Sequence, residues 1–189
     1  MNPAIFEVLN ALTMVPAPLI LLWRAVNLPG LLAAAAISAQ VPFSIAYHVR
    51  ESVRIYFDED GCRLDNHWRR MDQTSQHVAQ MILTYAVTQS SEYTAVIAAF
   101  HAHAMLQLWN PATSNDGRRW TMVAMGVGLY TVPVAVSGRV GLFAYSVLPM
   151  VIGSVVAFVP SFRFSGSHAL MHACSWVHAD ALGRILHSP

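Results

Sequence analysis

Seven apolar stretches follow one another along this chain, at residues 5–23, 28–48, 72–89, 93–109, 120–136, 140–159 and 167–186. Each is close to the ~17–25 residues that a helix needs to cross a hydrocarbon core. One such stretch can be a buried core helix, but a series of them in 189 residues leaves too little polar chain to screen it from water. Only 11% of the residues are charged, where an ordinary soluble domain carries ~25%. Lipid offers no partners to unpaired backbone groups, so the stretches are predicted to be helices. The expected fold is all-α: an integral membrane, multi-pass bundle of seven transmembrane helices, forming one domain over residues 1–189.

The rest of the composition narrows the partners. Net charge is +1 and lysine is absent, which argues against a nucleic-acid binder and leaves the lipid bilayer as the expected surroundings. Two cysteines, Cys62 and Cys174, give neither a disulfide framework nor a CxxC metal site. The start, MNPAIFEVLN, lacks a basic region, so no cleavable signal peptide is expected. Residues 50–71 form the one long polar connection, and 110–119 the next. Pro16, Pro18, Pro42, Pro133 and Pro149 fall inside the apolar stretches and are expected to kink helices. Gly126, Gly128 and the alanines at 33–36 are candidates for close helix approach.

The polar residues inside these stretches have a sidedness. With seven spans, the N-terminus and the connections 2–3, 4–5 and 6–7 share one face of the membrane. Ser44 and His48 close the second stretch, Asp72, Ser75 and His77 open the third, and His168 and His172 open the seventh. All of them therefore fall in one half of the bilayer, at similar depth. Ionisable groups within spans are costly and normally face the bundle interior, paired with one another. A single intramembrane histidine is most often a helix–helix hydrogen-bond partner. Three imidazoles with a carboxylate and a hydroxyl in one layer point further, to a zinc site. His168 and His172, at i and i+4, share a helix face, and His48 supplies a third ligand. Three protein ligands plus water make an open, catalytic type of zinc centre. Asp72 then orients or deprotonates the bound water, and Ser44, one turn before His48, braces a ligand or donates to an oxyanion. His77 is the reserve ligand. His101 and His103 are two apart, do not share a helix face, and are read as interior hydrogen-bonding groups. His178 and Asp180 are expected to make polar contacts beyond the metal layer, and Cys174 to pack as a small apolar side chain.

The set formed by SIAYH (44–48), an aspartate opening the third stretch and HALMH (168–172) resembles the CREST superfamily of seven-span membrane hydrolases. That superfamily joins alkaline ceramidases, the progestin and adiponectin receptor family, the Per1 proteins, and the branch of transmembrane protein 8 and myomaker. SIAYH and HALMH are similar to the ceramidase pattern. CRLDNHWRRMDQTS (62–75) looks more like the transmembrane protein 8 and myomaker branch. The receptor branch would favour Asp65 as the aspartate. Asp72 is preferred because it directly adjoins the apolar run. The resemblance implies a zinc-dependent hydrolase acting on a membrane lipid amide such as ceramide, with a zinc-bound water as nucleophile. His48, His168 and His172 would be the metal ligands, Asp72 the general base and Ser44 the supporting hydroxyl. The alternative it carries is a non-catalytic seven-span protein, a receptor or a myomaker-like fusion or structural protein, that retains a structural zinc site.

Arginines give an orientation. Arg50, Arg54, Arg63, Arg69, Arg70, Arg118, Arg119 and Arg163 fall on the N-terminal side, and Arg24, Arg139 and Arg184 on the other. The excess predicts a cytoplasmic N-terminus. The acidic run 58–60 lies on the same side and counts little in this rule.

Overall fold

The computed structural model describes residues 3–57, 67–110, 112, 116–162, 164 and 166–187. Cys62, Arg63, Asp65, Arg163 and the acidic run 58–60 lie outside the described residues. Among the described residues the chain is helical, with no strand. The helices are α1 (Pro3–Leu12), α2 (Pro16–Arg24), α3 (Leu28–Tyr56), α4 (His67–Thr88), α5 (Ser91–Trp109), α6 (Asp116–Val136), α7 (Val140–Phe158) and α8 (Ser167–His187), with a 3₁₀ turn at Pro160–Phe162. Four stretches are long and apolar enough to cross a membrane: Pro3–Arg24, Leu28–Tyr56, Gly117–Val136 and Val140–Phe158.

Local chemistry sets the ends. Pro16 at the first position of α2 has no N–H to continue a helix, so the first apolar stretch is two helices rather than one kinked rod. The Thr13 carbonyl exposed at this break accepts the Trp176 indole N–H from α8 at 2.7 Å. Pro42, Pro133 and Pro149 stay inside their helices. Asn27 caps α3 by accepting the Gly30 N–H at 2.8 Å, and Ser90 caps α5 by accepting the Tyr93 N–H at 3.1 Å. The expected polar connection at 50–71 is largely helix where it is described: α3 runs on to Tyr56 and α4 begins at His67. In the α3 extension Glu51 is buried and pairs with Arg54 at 3.1 Å, an i, i+3 contact that continues the helix through polar sequence.

Helix α8 sits at the centre, packed on α7 and α2 and touching α1, α3 and α4. Its C-terminal half joins the apolar core, where Leu182 and Ile185 meet Leu21, Ala33, Ala34, Leu83 and Val134. Close approach is real at Gly126, where an added Cβ would lie 2.0 Å from Gln80 Oε1 and 2.7 Å from His101 Cε1. It is not at Gly128, which has nothing within 4 Å of such a Cβ and lines a cavity instead. Gly153 of α7 provides the other contact: an added Cβ would stand 3.0 Å from Met171 Cα. α7 and α8 therefore touch nearly backbone to backbone beside the histidines of α8.

Candidate metal centre

The C-terminal half of α3, the start of α4 and the start of α8 all reach the end of the bundle opposite the apolar core. His48 arrives from α3 and is 2% exposed. His168 and His172 arrive from the first two turns of α8, their ring centroids 4.7 Å apart. The three imidazoles each present a ligand nitrogen, and no two of these nitrogens are more than 4.8 Å apart. His48 Nε2 and His172 Nε2 face each other at 3.2 Å. Two imidazoles on a tetrahedral zinc, with bonds of ~2.0–2.1 Å, hold their nitrogens about 3.3 Å apart. The His48–His172 pair already has that spacing, and His168 presents its ligand nitrogen within 4.8 Å of theirs. The same 3.2 Å also suits a direct imidazole–imidazole hydrogen bond.

The other imidazole nitrogen of His48 is occupied. Nδ1 lies 2.8 Å from Glu7 Oε2 of α1, and the same carboxylate oxygen accepts Asn10 Nδ2 at 3.1 Å. Sequence reasoning gave Glu7 no role. It lies in the first apolar stretch, far along the chain from any of the histidines, and only the docking of α1 on α3 brings it to His48.

Asp72 opens onto the same space from α4 and is buried. Gln76 Nε2 donates to its Oδ2 at 3.1 Å, while Oδ1 has no hydrogen-bond partner. Ser44, fully buried one turn before His48, lies within electrostatic reach of the Asp72 carboxylate, as do His48 and Arg69. The Ser44 hydroxyl sits close enough to that carboxylate to stabilise its charge, though without a hydrogen bond of ordinary length. A hydroxyl and a carboxylate thus stand beside the cluster of imidazoles. Three imidazole nitrogens within this reach of one another could hold a metal ion.

Several other expectations are met or corrected by the packing. His77 turns away from the cluster and pairs with His101 of α5, Nδ1 to Nδ1 at 3.0 Å, so it is not placed as a ligand. His101 is buried, but His103 is exposed: two residues apart on a helix, only one of them faces inward. His178 joins Tyr130 and Ser146 in a buried network, Nε2 to Tyr130 Oη at 2.6 Å and Nδ1 to Ser146 O at 2.9 Å. Asp180 pairs with Arg24 and Arg184 at the opposite end of α8. The Cys174 sulfur packs on Gly153. Of the two candidate aspartates, Asp72 faces the cavity and Asp65 lies outside the described residues.

The histidines stand in a cavity of about 1120 Å³, larger than the ~300–1,000 Å³ of typical small-molecule sites. Glu7, His48, Asp72, His168 and His172 line one end of it. Leu21, Ile37, Leu83, Val127 and Leu182 also line it, together with Gln40, Gln73, Gln80, Ser154, Tyr130 and His178. The cavity therefore joins the imidazoles and the carboxylate to a mixed lining in which aliphatic and amide side chains alternate. Comparison with known proteins finds no matching family model, no matching curated protein and no matching solved structure.

Proposed function

We propose that this protein is a seven-span membrane hydrolase that binds one zinc ion through His48, His168 and His172 and cleaves a lipid amide. The observation that carries the reading is the meeting of three imidazoles with Asp72 in one large cavity that aliphatic side chains also line. A span for α4 is supported by where it keeps its polar groups. Asp72, Gln73, His77, Gln80 and Thr84 of α4 are buried, whereas Val78 and Tyr85 face outward. A helix that is polar inside and apolar outside suits lipid, although its average composition is not apolar. Arginine placement favours a cytoplasmic N-terminus, with the histidine layer toward the cytoplasm. The reading agrees with the resemblance of SIAYH and HALMH to the CREST superfamily, in its ceramidase or myomaker branch.

When bound, zinc lowers the pKa of a water toward ~7 and polarises a carbonyl. The chain's own residues do the rest. The aliphatic side chains of the lining take up the acyl chain and exclude bulk water from the imidazoles. Asp72 accepts a proton from the attacking water through its unpaired Oδ1 and then delivers it to the nitrogen that leaves. One C–O bond forms, the C–N bond breaks, and the products are a fatty acid and an amine. Ser44 supports the carboxylate or the developing oxyanion with its hydroxyl.

The test combines metal analysis of the purified protein with a panel of lipid amides that includes ceramides. About one zinc per chain and cleavage of at least one amide are expected. Asp72→Asn should keep the zinc and lose turnover by about 10²–10⁴-fold. Zinc without cleavage across the panel would favour the non-catalytic alternative, and a well-folded protein without zinc would favour histidines that only hydrogen-bond to one another, for which the 3.2 Å His48–His172 contact is also suited.

A further inference from the structure

We infer that Glu7 is a positioning residue for the metal centre: it fixes the tautomer and ring orientation of His48, and so which nitrogen is offered to the metal. The inference rests on the zinc reading and names a residue outside it.

The argument begins with the ring. An ionised carboxylate oxygen is an acceptor only, so with Glu7 ionised the 2.8 Å contact places a hydrogen on His48 Nδ1, which donates to Oε2. A neutral His48 then carries its lone pair on Nε2, the atom that faces His172 Nε2 at 3.2 Å. The reverse tautomer would set two lone pairs against each other at Glu7 and turn an N–H toward the metal position. His48 is 2% exposed, so Glu7 is its partner at Nδ1 rather than bulk solvent. A carboxylate on the far nitrogen of a metal-binding imidazole is a recurrent arrangement, because it orients the ring and strengthens it as a donor.

Glu7 is itself held. Asn10, one turn further along α1 and buried, donates Nδ2 to the same oxygen at 3.1 Å. Oε2 of Glu7 thus meets two groups, His48 and Asn10, on two different helices. α1 is thereby joined to the zinc ligands through one hydrogen bond, although it offers no ligand of its own. The opposing possibility is that Glu7 merely anchors α1 to α3, as any buried polar contact between helices does. The two roles separate by metal dependence: an anchor matters equally with and without zinc, whereas a positioning residue matters chiefly when zinc is bound.

The test uses the full chain in detergent or nanodiscs, with zinc affinity measured by chelator competition and the ligand field followed by cobalt substitution. Glu7→Gln keeps an acceptor but loses the charge and is expected to weaken zinc about 10-fold; Glu7→Ala loses both and is expected to weaken it by up to about 100-fold. Both should shift the cobalt absorption bands, and metal-free Glu7→Gln should melt with the metal-free parent. Glu92→Gln, an exposed carboxamide swap at the start of α5, should leave affinity and spectrum unchanged. Parent-like zinc affinity in Glu7→Gln and Glu7→Ala, with zinc bound normally by the parent, would overturn the inference and leave the hydrolase reading standing. So would an equal loss of thermal stability with and without metal. A parent that binds no zinc or cobalt would overturn both together.

Discussion

Replacing His172 with alanine removes two contributions that can be measured apart. The first is metal-dependent. A ligand bound only by the folded chain stabilises it by RT ln(1 + [L]/Kd), about 2.7 kcal/mol at a free zinc concentration one hundred times Kd. Without His172 the set of three imidazoles falls to two, and this contribution should vanish at the same zinc concentration. The second is independent of metal. His172 is 8% exposed and its Nε2 lies 3.2 Å from His48 Nε2, so the truncation leaves His48 facing a void with a buried nitrogen unpaired. Such a loss costs about 1–3 kcal/mol. At about 2–4 °C per kcal/mol for a chain of this length, the metal-dependent part is about 5–11 °C and the other about 2–12 °C. The assay is thermal unfolding of parent and His172→Ala, each with zinc and after chelation, beside elemental analysis. His101→Ala serves as the comparison, since its imidazole bonds to His77 and not to the cluster; its zinc content should match the parent's. Equal zinc in His172→Ala and the parent, or a stability difference that chelation leaves unchanged, would refute the claim that the pair in SHALMHA exists to hold a metal.

Two further predictions concern the frame that presents the histidines. Trp176→Phe removes the indole N–H from the Thr13 carbonyl at the α1–α2 break and should lower stability by about 1–3 kcal/mol, read by thermal unfolding, with zinc content unchanged. Gly153→Val would push a branched side chain into Met171 Cα, 3.0 Å from the first added carbon, and should cost at least the 1–3 kcal/mol of ordinary overpacking. Because it displaces the turn of α8 between His168 and His172, it should also weaken zinc, as chelator competition would register.

The helices were legible in the sequence because apolar length is a local property. Each expected stretch contains a helix, and the boundaries fail where polar residues pair among themselves: α3 continues past His48 on Glu51 and Arg54, which composition alone reads as loop. The convergence of His48, His168 and His172 was legible from the direction in which each stretch is expected to run, which constrains depth without any knowledge of packing. Glu7 was not. A glutamate one turn into the first helix reads as an end-of-span charge, and its meeting with His48 depends on how α1 docks on α3, separated by 41 residues. The same limit explains His77. Its depth suited a ligand, but rotation about the α4 axis turns it toward His101, and rotation is set by neighbouring helices. His103 failed for the same reason on α5.

The break between α1 and α2 bears on how the chain is assembled. Its exposed Thr13 carbonyl is satisfied by Trp176, Asn27 donates to the Leu186 carbonyl at 2.7 Å, and Arg24 is neutralised by Asp180. Each partner belongs to α8, made more than 150 residues later. A ribosome delivers the N-terminal helices first, and unpaired carbonyls or charges are costly in lipid. The polar groups of Thr13, Asn27 and Arg24 are therefore satisfied only once α8 is in place. Loss of α8 would leave all three without these partners, so a change confined to one helix would be felt some 150 residues away along the chain.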